Sequence, residues 1–320
     1  MKLTIAGASG FMGRAIRASY AADGAEVRTI GRTGVDATWD DPGGLVQAVH
    51  GADILVNLAG KSVNCRYGPA NRDEILRSRV ATTRALAEAV ARATEPPAVW
   101  FNASTATIYR HAEDRPMTEA GGEIGSGFSV DVATAWEREF YTGELPGTRR
   151  VALRMAIVLG DGSALLPLIR LTRLGLGGAQ LDGRWPATAA RRAAGTFHEF
   201  RARRGLQKFS WVHIADVLAI IQFVRDHPQI DGVVNAAAPN PSDNRTMMRS
   251  LRDVLRVPIG VPAPRWMLEI GSAIIRTETE LVLKSRWVIP QRLAEAGYRF
   301  RYPDLKPALA EITAGRIGGP

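Results

Sequence analysis

The stretch that decides the fold is MKLTIAGASGFMG, from Met1 to Gly13. A short apolar strand leads directly into Gly7, Gly10 and Gly13 at GxxGxxG spacing, and a helical pattern follows. In a dinucleotide cradle the first glycine allows a tight turn, the second lets backbone N–H groups approach a pyrophosphate, and the third lets the helix pack against the sheet. An ordinary glycine-rich turn is the alternative, but the order of strand, glycines and helix favours nucleotide binding.

The helix that follows the glycines completes the predicted cradle. Its first N–H groups have no partner within the helix, and its dipole favours an anion at this end. The pyrophosphate of a dinucleotide is therefore expected here. The residues of this turn that are predicted to bind the cofactor are Gly7, Ser9, Gly10, Phe11, Met12 and Gly13.

The composition is typical of a protein with a large buried core. The chain has 320 residues, 46% of them hydrophobic, which fits one elaborated domain or two associated ones. No apolar run approaches the ~18 to 20 residues that span a bilayer, and the glycine-broken amino terminus does not fit a signal peptide. A cytoplasmic protein without a membrane partner is therefore expected. The single Cys65 excludes an internal disulfide, and the five histidines never stand at a metal-ligand spacing such as HExxH, so no metal site is predicted.

The net charge of +9 arises from 41 Lys and Arg against 32 Asp and Glu. Part of the excess is local, because one short arginine-rich stretch has Glu199 as its only acid. Its arginines are Arg184, Arg191, Arg192, Arg201, Arg203 and Arg204. No zinc-finger or aromatic RNA-binding pattern accompanies them, so no nucleic-acid partner is expected. A basic chain that holds a phosphate-rich cofactor is the simpler explanation.

Strands and helices alternate along the first half of the chain. The predicted elements include the amino-terminal strand, Glu26 to Ile30, a strand ending at Trp39 and Asp40, Asp53 to Leu58, Val99 to Ala103, a helix from Val132 to Tyr141, and a strand from Arg150 to Met155. Asp41 and Pro42 predict the N-cap and first turn of a short helix. Asn71 and Glu74, at capping-box spacing, predict the start of a long helix that ends near Ala93. This alternation predicts an α/β fold with a right-handed, doubly wound parallel sheet, the Rossmann fold.

The second half of the chain predicts a smaller lobe. Helical segments near 163–174, 216–226, 244–255 and 264–276 are separated by turns rich in proline and glycine. We expect residues 1–160 to form the dinucleotide-binding domain, with 207–238 returning to its sheet. Residues 161–320 are then expected to form the substrate lobe and a mainly helical C-terminal domain.

Four motifs resemble the extended short-chain dehydrogenases and reductases: GASGFMG at 7–13, NLAG at 57–60, STATIY at 104–109 and SWVHIADV at 210–217. Four more are similar to the atypical branch known as the epimerase family: KSVNCRYGPANRDEILRSRV at 61–80, AWE at 135–137, RLGLGG at 173–178 and SRWVIPQRLAEAGYRFRYPDL at 285–305. The resemblance covers nearly the whole chain and is interrupted between about 185 and 206. It implies an NADP-binding Rossmann fold, a substrate lobe at the carboxyl edge of the sheet, and oxidoreductase or epimerase activity.

The cofactor is predicted from the end of the second strand. NAD sites usually place an acid there for the ribose 2′-hydroxyl, whereas Arg32 offers a cation to a 2′-phosphate, so NADP is favoured. A solvated surface arginine is the alternative. Asp40 is expected beside the adenine, and Leu58, Ala59 and Gly60 are expected to pass under the cofactor. Asn57 either bonds neighbouring backbone or touches the cofactor.

The catalytic residues depart from the reductase pattern that the resemblance implies. Counting back from Glu137, the position of the usual Tyr falls on Ser129 and that of the usual Lys falls on Ala133, and neither side chain can do that chemistry. The remaining candidates near the nicotinamide are Ser104, Thr105 and Tyr109. A proton-transfer role for Tyr109 and a ring packed under the substrate lobe are both open.

The substrate is expected to be small and polar, and cations near the predicted cleft could bind an anionic group on it. The candidate binding residues are Lys61, Arg66, Tyr67 and Arg154, although an intramolecular ion pair is the alternative for Arg154. His213 is expected to bond backbone at a helix start rather than to act as a base. Two other functions stay open: a non-catalytic NADP-binding regulator, and a basic binding module.

The arginine-rich segment from about Trp185 to Leu206 interrupts the family resemblance. Its arginines fit a lid or an anion-recruiting rim, and a solvated excursion without a role is the alternative. Phe197, Phe200 and Trp185 need somewhere to pack, which favours docking on the lobe or on a second copy in a homodimer. We expect the segment to be partly ordered and helical around Ala187 to Ala194.

Overall fold

The computed structural model describes residues 1–162, 165–202, 204–274 and 278–314. Its strands are β1 (Lys2–Ala6), β2 (Glu26–Gly31), β3 (Ala37–Thr38), β4 (Ile54–Asn57), β5 (Val99–Thr105), β6 (Arg149–Met155), β7 (Ile157–Leu159), β8 (Lys208–Phe209), β9 (Trp211–His213), β10 (Gly232–Ala236) and β11 (Ser242–Asp243). Seven of them form one sheet in the order β10-β6-β5-β4-β1-β2-β3, and every pair in it is parallel. The predicted doubly wound sheet is confirmed.

Five helices cover the two faces of this sheet. The α-helices of the described residues are α1 (Phe11–Ala22), α2 (Pro42–Val49), α3 (Pro69–Arg92), α4 (Phe128–Tyr141), α5 (Leu165–Arg173), α6 (Ala189–Ala193), α7 (Ile214–Asp226), α8 (Asn244–Leu255), α9 (Arg265–Ile274), α10 (Glu280–Leu283), α11 (Gln291–Glu295) and α12 (Leu305–Ala314). Helices α1 and α7 bury their apolar sides on one face, and α2, α3 and α4 bury theirs on the other. This arrangement explains why the central strands read as continuous apolar runs.

Alternate residues of each strand pack into the two halves of the core, which lie on opposite faces of the sheet. In β4, Ile54 and Val56 pack with α1 and α7, while Leu55 packs with α2, α3 and α4, and all three are at most 1% exposed. Each such side chain stabilises the fold by about 1.5 to 3 kcal/mol relative to exposure. The two-sided burial therefore fixes the register of the sheet and the positions of the turns at its carboxyl edge.

The two predicted helix starts have different outcomes. The Asp41 carboxylate accepts a hydrogen bond of 2.9 Å from the Gly44 N–H and Pro42 opens α2, as predicted. The capping box at Asn71 is wrong, because α3 begins two residues earlier at Pro69. Proline at the first helical position already has the helical φ and lacks the N–H that would go unpaired there.

The remaining strands and helices build the smaller lobe above the carboxyl edge. Strand β10 returns to the main sheet beside β6, whereas β7 pairs with β9 and β8 with β11 in two short sheets. Helices α5, α8 and α12 share a separate apolar core. The predicted helix 264–276 corresponds to α9, and its residues 275 and 276 lie outside the described residues, as do 163 and 164 of the helix predicted at 163–174.

The described residues contain neither a candidate membrane span nor a candidate metal site. No helix among them is long and apolar enough to cross a membrane. Within the same residues, no group of three or more His, Cys, Asp or Glu side chains is arranged to hold a metal ion.

Candidate functional site

The candidate site lies at the carboxyl edge of the main sheet, where the central strands end together. Ala6 at the end of β1 is in register with Asn57 of β4, and the ends of β5 and β6 place Ser104 opposite Arg154. The strand order reverses between β1 and β4, and ligands of open α/β sheets bind in the crevice outside such a point. The turns that follow β1, β4 and β5 therefore share one crevice.

The glycine cradle follows β1 directly. Gly7 has a φ of +84°, and a Cβ there would stand 2.9 Å from the Leu58 carbonyl carbon. A Cβ on Gly13 would stand 2.5 Å from the Gly7 carbonyl oxygen, closer than any side chain allows. Helix α1 begins after Gly10, its N-cap, and its first turn contains no acidic residue. The free N–H groups of this turn can therefore bind an anion, because no carboxylate of the first turn repels it.

The other wall of the cradle is the segment 58–60, and Asn57 gives it its shape. The Asn57 amide donates to Asn102 Oδ1 at 2.7 Å and to Thr83 Oγ1 at 3.1 Å, and its oxygen accepts from the Ala59 N–H at 3.0 Å. The side chain is fully buried. Of the two roles open to Asn57, the structure shows the bond to neighbouring backbone.

Arg32 stands at the far end of the cradle, just after β2. Its side chain is exposed, and no described residue forms an ion pair or hydrogen bond with its guanidinium. Asp40 is exposed too, and the Thr38 hydroxyl lowers the pKa of its carboxyl. A cradle walled by backbone, with an unpaired cation at one end, fits a dinucleotide.

The other predicted cradle residues have distinct positions. Ser9 is exposed, and its carbonyl accepts a hydrogen bond from Arg14. Phe11 lies against Gly160, where a Cβ would stand 2.8 Å from the phenyl ring. Met12 is half-buried and packs on the sheet core. Ser9 is therefore the one of these three side chains that faces solvent.

A buried hydrogen-bonded network lies behind the end of β5. The Ser104 hydroxyl donates to Glu137 at 2.5 Å, and both carboxylate oxygens of Glu137 accept from Arg154, at 2.8 and 2.7 Å. Arg154 also donates to the Tyr109 hydroxyl at 3.0 Å, which in turn donates to Asn235 Oδ1 at 2.9 Å. The three predicted residues Ser104, Tyr109 and Arg154 are therefore linked in one network, through a glutamate on α4.

The network limits what its members can contact. Tyr109 is 1% exposed, and burial raises the pKa of its phenol although Arg154 opposes the shift. Burial alone would lower the pKa of Arg154, but its contact with Glu137 outweighs burial and raises it. Of the alternatives for Arg154, the ion pair is the one seen. Thr105 is the one predicted catalytic hydroxyl that is partly exposed, and it accepts from the Thr107 N–H at 3.1 Å.

The two positions that usually carry Tyr and Lys lie at the start of α4. Ser129 donates a hydrogen bond of 2.8 Å to Glu280 Oε2, which comes from the C-terminal region. Ala133 is 1% exposed and packs among apolar side chains that include Ala106 and Ile108. Position 133 is therefore part of an apolar core cluster.

The loop after β4 carries the other predicted substrate residues. Lys61 is half-buried, and its backbone N–H donates to the Ser78 hydroxyl at 2.9 Å. Arg66 lies 3.5 Å from a carboxylate oxygen of Glu278, and the Tyr67 N–H donates to the same oxygen at 2.8 Å. This loop is therefore tied to the C-terminal region through one buried glutamate.

Charged side chains of the C-terminal region reach the same edge, and sequence reasoning missed them. Lys284 donates from Nζ to the Thr107 carbonyl at 2.7 Å, and Arg286 donates to the Thr107 hydroxyl at 3.2 Å. Both are buried, as are Glu278 and Glu280. The sole sequence signal is their density, four charged residues between 278 and 286.

The arginine-rich segment packs against this cluster. The predicted helix around 187–194 is present as α6, which Thr188 caps through a 3.2 Å bond from the Arg191 N–H. Phe197 lies under the guanidinium groups of Arg191, Arg192 and Arg265, at 5.6, 4.9 and 5.5 Å. Phe200 stacks between His111 and His198, at 4.8 and 5.0 Å. The segment contacts the charged cluster through Arg191, 3.5 Å from Glu278, and His198, 3.5 Å from Glu280. Arg203 lies outside the described residues.

A parallel sheet with this cradle is typical of dinucleotide-binding proteins, a class that includes the epimerases and short-chain dehydrogenases. A profile of the NAD dependent epimerase/dehydratase family matches residues 3–128, and one of a domain of unknown function, DUF1731, matches residues 263–312. Epimerase family protein SDR39U1 of Bos taurus is 32% identical over 98% of this chain and 100% of its own length. The chain belongs to this epimerase family.

Two solved structures support the assignment. The crystal structure of human epimerase family protein SDR39U1 (isoform 2) with NADPH has a TM-score of 0.82 and 27% identity, and the match covers 98% of this chain and 99% of that one. The nucleoside-diphosphate sugar epimerase from Corynebacterium glutamicum has a TM-score of 0.70 and 28% identity, with coverage of 98% and 58%. The predicted family and its C-terminal helical domain are confirmed.

Proposed function

We propose that this protein binds NADPH and acts as an oxidoreductase or epimerase-like enzyme on a small polar substrate. The observation that carries the cofactor assignment is the exposed, unpaired Arg32, which stands where NAD sites usually place an acid. The NADPH in the human relative supports the same choice.

The residues at the end of β5 are assigned to the substrate. Bound NADPH would supply a hydride to a carbonyl carbon. The partly exposed Thr105 hydroxyl holds the carbonyl oxygen. Ser104 and Tyr109 are buried and act on this site through their hydrogen-bonded network with Glu137 and Arg154. Lys61, Arg66 and Tyr67 line the side on which an anionic group would bind.

A non-catalytic NADP-binding regulator is the second candidate function. It is favoured by Ser129 and Ala133, which replace the usual proton-transfer pair, and by the burial of Tyr109. The two functions differ in one measurable property. That property is turnover: an oxidoreductase consumes bound NADPH and an epimerase converts its substrate while it returns the cofactor, whereas a regulator changes neither.

Exchanging Arg32 for Asp is expected to weaken NADPH binding by about 2 kcal/mol, because one charge-assisted contact is lost and a repulsion replaces it. NADH binding is expected to change far less. Titration calorimetry measures both. Arg249→Asp is the matched control, since Arg249 is also exposed and carries the same charge on α8. Equal affinity of the unmodified protein for NADH and NADPH would contradict the assignment.

The catalytic proposal is tested by hydride transfer from NADPH to a panel of carbonyl compounds that includes keto-sugar nucleotides. Thr105→Ala is expected to lower the rate about tenfold, the effect of one neutral hydrogen bond, with unchanged NADPH affinity. Thr142→Ala, an exposed threonine at the end of α4, is the control. Tight NADPH binding without consumption by any compound would favour the regulator, and an unchanged rate in Thr105→Ala would remove this residue from the mechanism.

A further inference from the structure

A buried amine from the C-terminal domain reaches the turn after β5. Lys284 follows α10 and is 4% exposed. Its Nζ donates a 2.7 Å hydrogen bond to the carbonyl of Thr107, two residues beyond the Thr105 hydroxyl. A titratable group that the proposed function leaves unused therefore lies beside the residues assigned to the substrate.

Glu280 connects this amine to the start of α4. Its Oε2 accepts from the Ser129 hydroxyl at 2.8 Å and lies 3.5 Å from His198 Nε2. Burial alone would raise the pKa of the Glu280 carboxyl, but His198, Lys284 and Ser129 together lower it. Glu280 is therefore ionised at neutral pH. The position that usually carries the catalytic Tyr is thus linked to Lys284 through a carboxylate.

The other oxygen of Glu280 has no donor. Oε1 lies 4.0 Å from Lys284 Nζ, too far for a hydrogen bond, and nothing in the described part of the chain donates to it. A buried carboxylate oxygen without a donor costs free energy, so native structures seldom leave one. A ligand hydroxyl would donate to Oε1, while a carbonyl oxygen next to that hydroxyl would accept from Nζ.

The charges that face Lys284 set its protonation. Burial lowers the pKa of its amine to about 8, Glu280 opposes this shift, and Arg286 adds to it. His111 also faces the amine, and its own pKa is lowered to about 4 by burial and by Lys284, so it is neutral near pH 7. At neutral pH Lys284 is therefore mostly protonated and able to release its proton.

We infer that Lys284 is the group that exchanges a proton with the substrate oxygen, and that the substrate is a hydroxycarbonyl compound whose hydroxyl binds Glu280. The inference rests on the proposed function, since it needs NADPH at this edge of the sheet. The proton donor then lies in the C-terminal domain and not on α4, where Ser129 and Ala133 replace the usual Tyr and Lys.

In the reducing direction, Nζ gives its proton to the carbonyl oxygen, which takes the electron pair of the C=O π bond. Bound NADPH would supply the hydride that reduces the carbonyl carbon and would itself be oxidised to NADP⁺. The Lys284 amine is left neutral and regains a proton from water. Glu280 is a positioning residue, because it holds the ligand hydroxyl and its charge favours the ammonium form of Lys284.

The scarcity of lysine permits a direct test. The chain has five lysines, Lys2, Lys61, Lys208, Lys284 and Lys306. Protein grown with [13Cε]lysine therefore gives five NMR signals, and Lys284→Arg identifies the one of interest. Its pKa is measured in the NADPH complex and in the NADP⁺ complex. The oxidised nicotinamide is positively charged, so the pKa is expected to be about 1 unit lower with NADP⁺ if the ring lies beside the amine.

Hydroxyacetone and acetone test the substrate class. Both are added to the NADP⁺ complex, which has no hydride to transfer to a ketone. The Lys284 signal is expected to move with hydroxyacetone at concentrations where acetone has no effect, while Lys208 and Lys306 serve as internal controls. An equal pKa of Lys284 in the two nucleotide complexes, or an equal response to the two ketones, overturns the inference. If neither nucleotide binds, the proposed function itself fails, and the inference fails with it.

Discussion

Replacing Glu137 with alanine is expected to lower the free energy of unfolding by about 3 to 5 kcal/mol. The change leaves the Arg154 guanidinium buried without its carboxylate and removes the acceptor of the Ser104 hydroxyl. Desolvated charges that lose their partner account for such large effects. Urea unfolding, followed by circular dichroism, measures the difference.

A matched control lies two residues further along α4. Glu139 also binds an arginine through both oxygens, at 2.7 and 3.0 Å from Arg84, but the Arg84 side chain is 60% exposed. Glu139→Ala is therefore expected to cost less than about 1 kcal/mol. The double variant Glu137→Leu, Arg154→Met is expected to recover part of the loss, because neither charge remains buried alone. Equal effects of Glu137→Ala and Glu139→Ala would contradict a special role for burial.

Acid is expected to destabilise the protein through His111, by about 2 to 3 kcal/mol between pH 7 and pH 4.5. Burial, followed by the charge of Lys284, lowers the pKa of His111 to about 4, whereas an unfolded histidine titrates near 6.5. Above pH 6.5 the imidazole is neutral in both states, so it has no effect on stability. As the pH falls from 6.5 toward 4, the unfolded state gains the proton first, and the folded state loses stability.

The contribution of His111 is isolated by His111→Gln. The ring Nδ1 accepts a 3.0 Å bond from the Ser285 N–H, and a glutamine oxygen can still accept while it does not titrate. The stability of this variant relative to wild type is expected to rise as the pH falls through this window. His50→Gln, at an exposed histidine, is the control. A variant-minus-wild-type difference that stays constant from pH 7 to 4.5 would contradict the prediction.

The sequence predicted the cradle and the sheet because their signals are local. The glycine positions follow from steric contacts within a few residues, as the 2.5 Å clash expected at Gly13 illustrates. The strand DILVNL is apolar on both faces because helices cover both sides. Where two local signals competed, at Asn71 and Pro69, the fixed φ of proline decided the helix start.

The C-terminal half of the site had no such signal. Glu280 and Lys284 are ordinary charged residues in the sequence, and only the folded chain places them against Ser129 and Thr107. The link between Ser104 and Tyr109 likewise runs through Glu137 and Arg154, on other elements. Buried polar contacts between distant segments depend on tertiary packing, and neither spacing nor composition reports them.

The contacts of Trp287 and Leu293 with the amino-terminal half of the chain have a consequence for biosynthesis. A ribosome releases the amino terminus first, so β1 to β6 emerge well before residues 280–293. Yet the Met117 N–H donates to the Trp287 carbonyl at 2.7 Å, and Leu293 is fully buried in the core on the α1 and α7 face. The cradle sequence of a nascent chain therefore emerges long before the C-terminal contacts that complete this core and the substrate side of the site. A premature stop before residue 280 would therefore remove Leu293 from this core as well as Glu280 and Lys284 from the site.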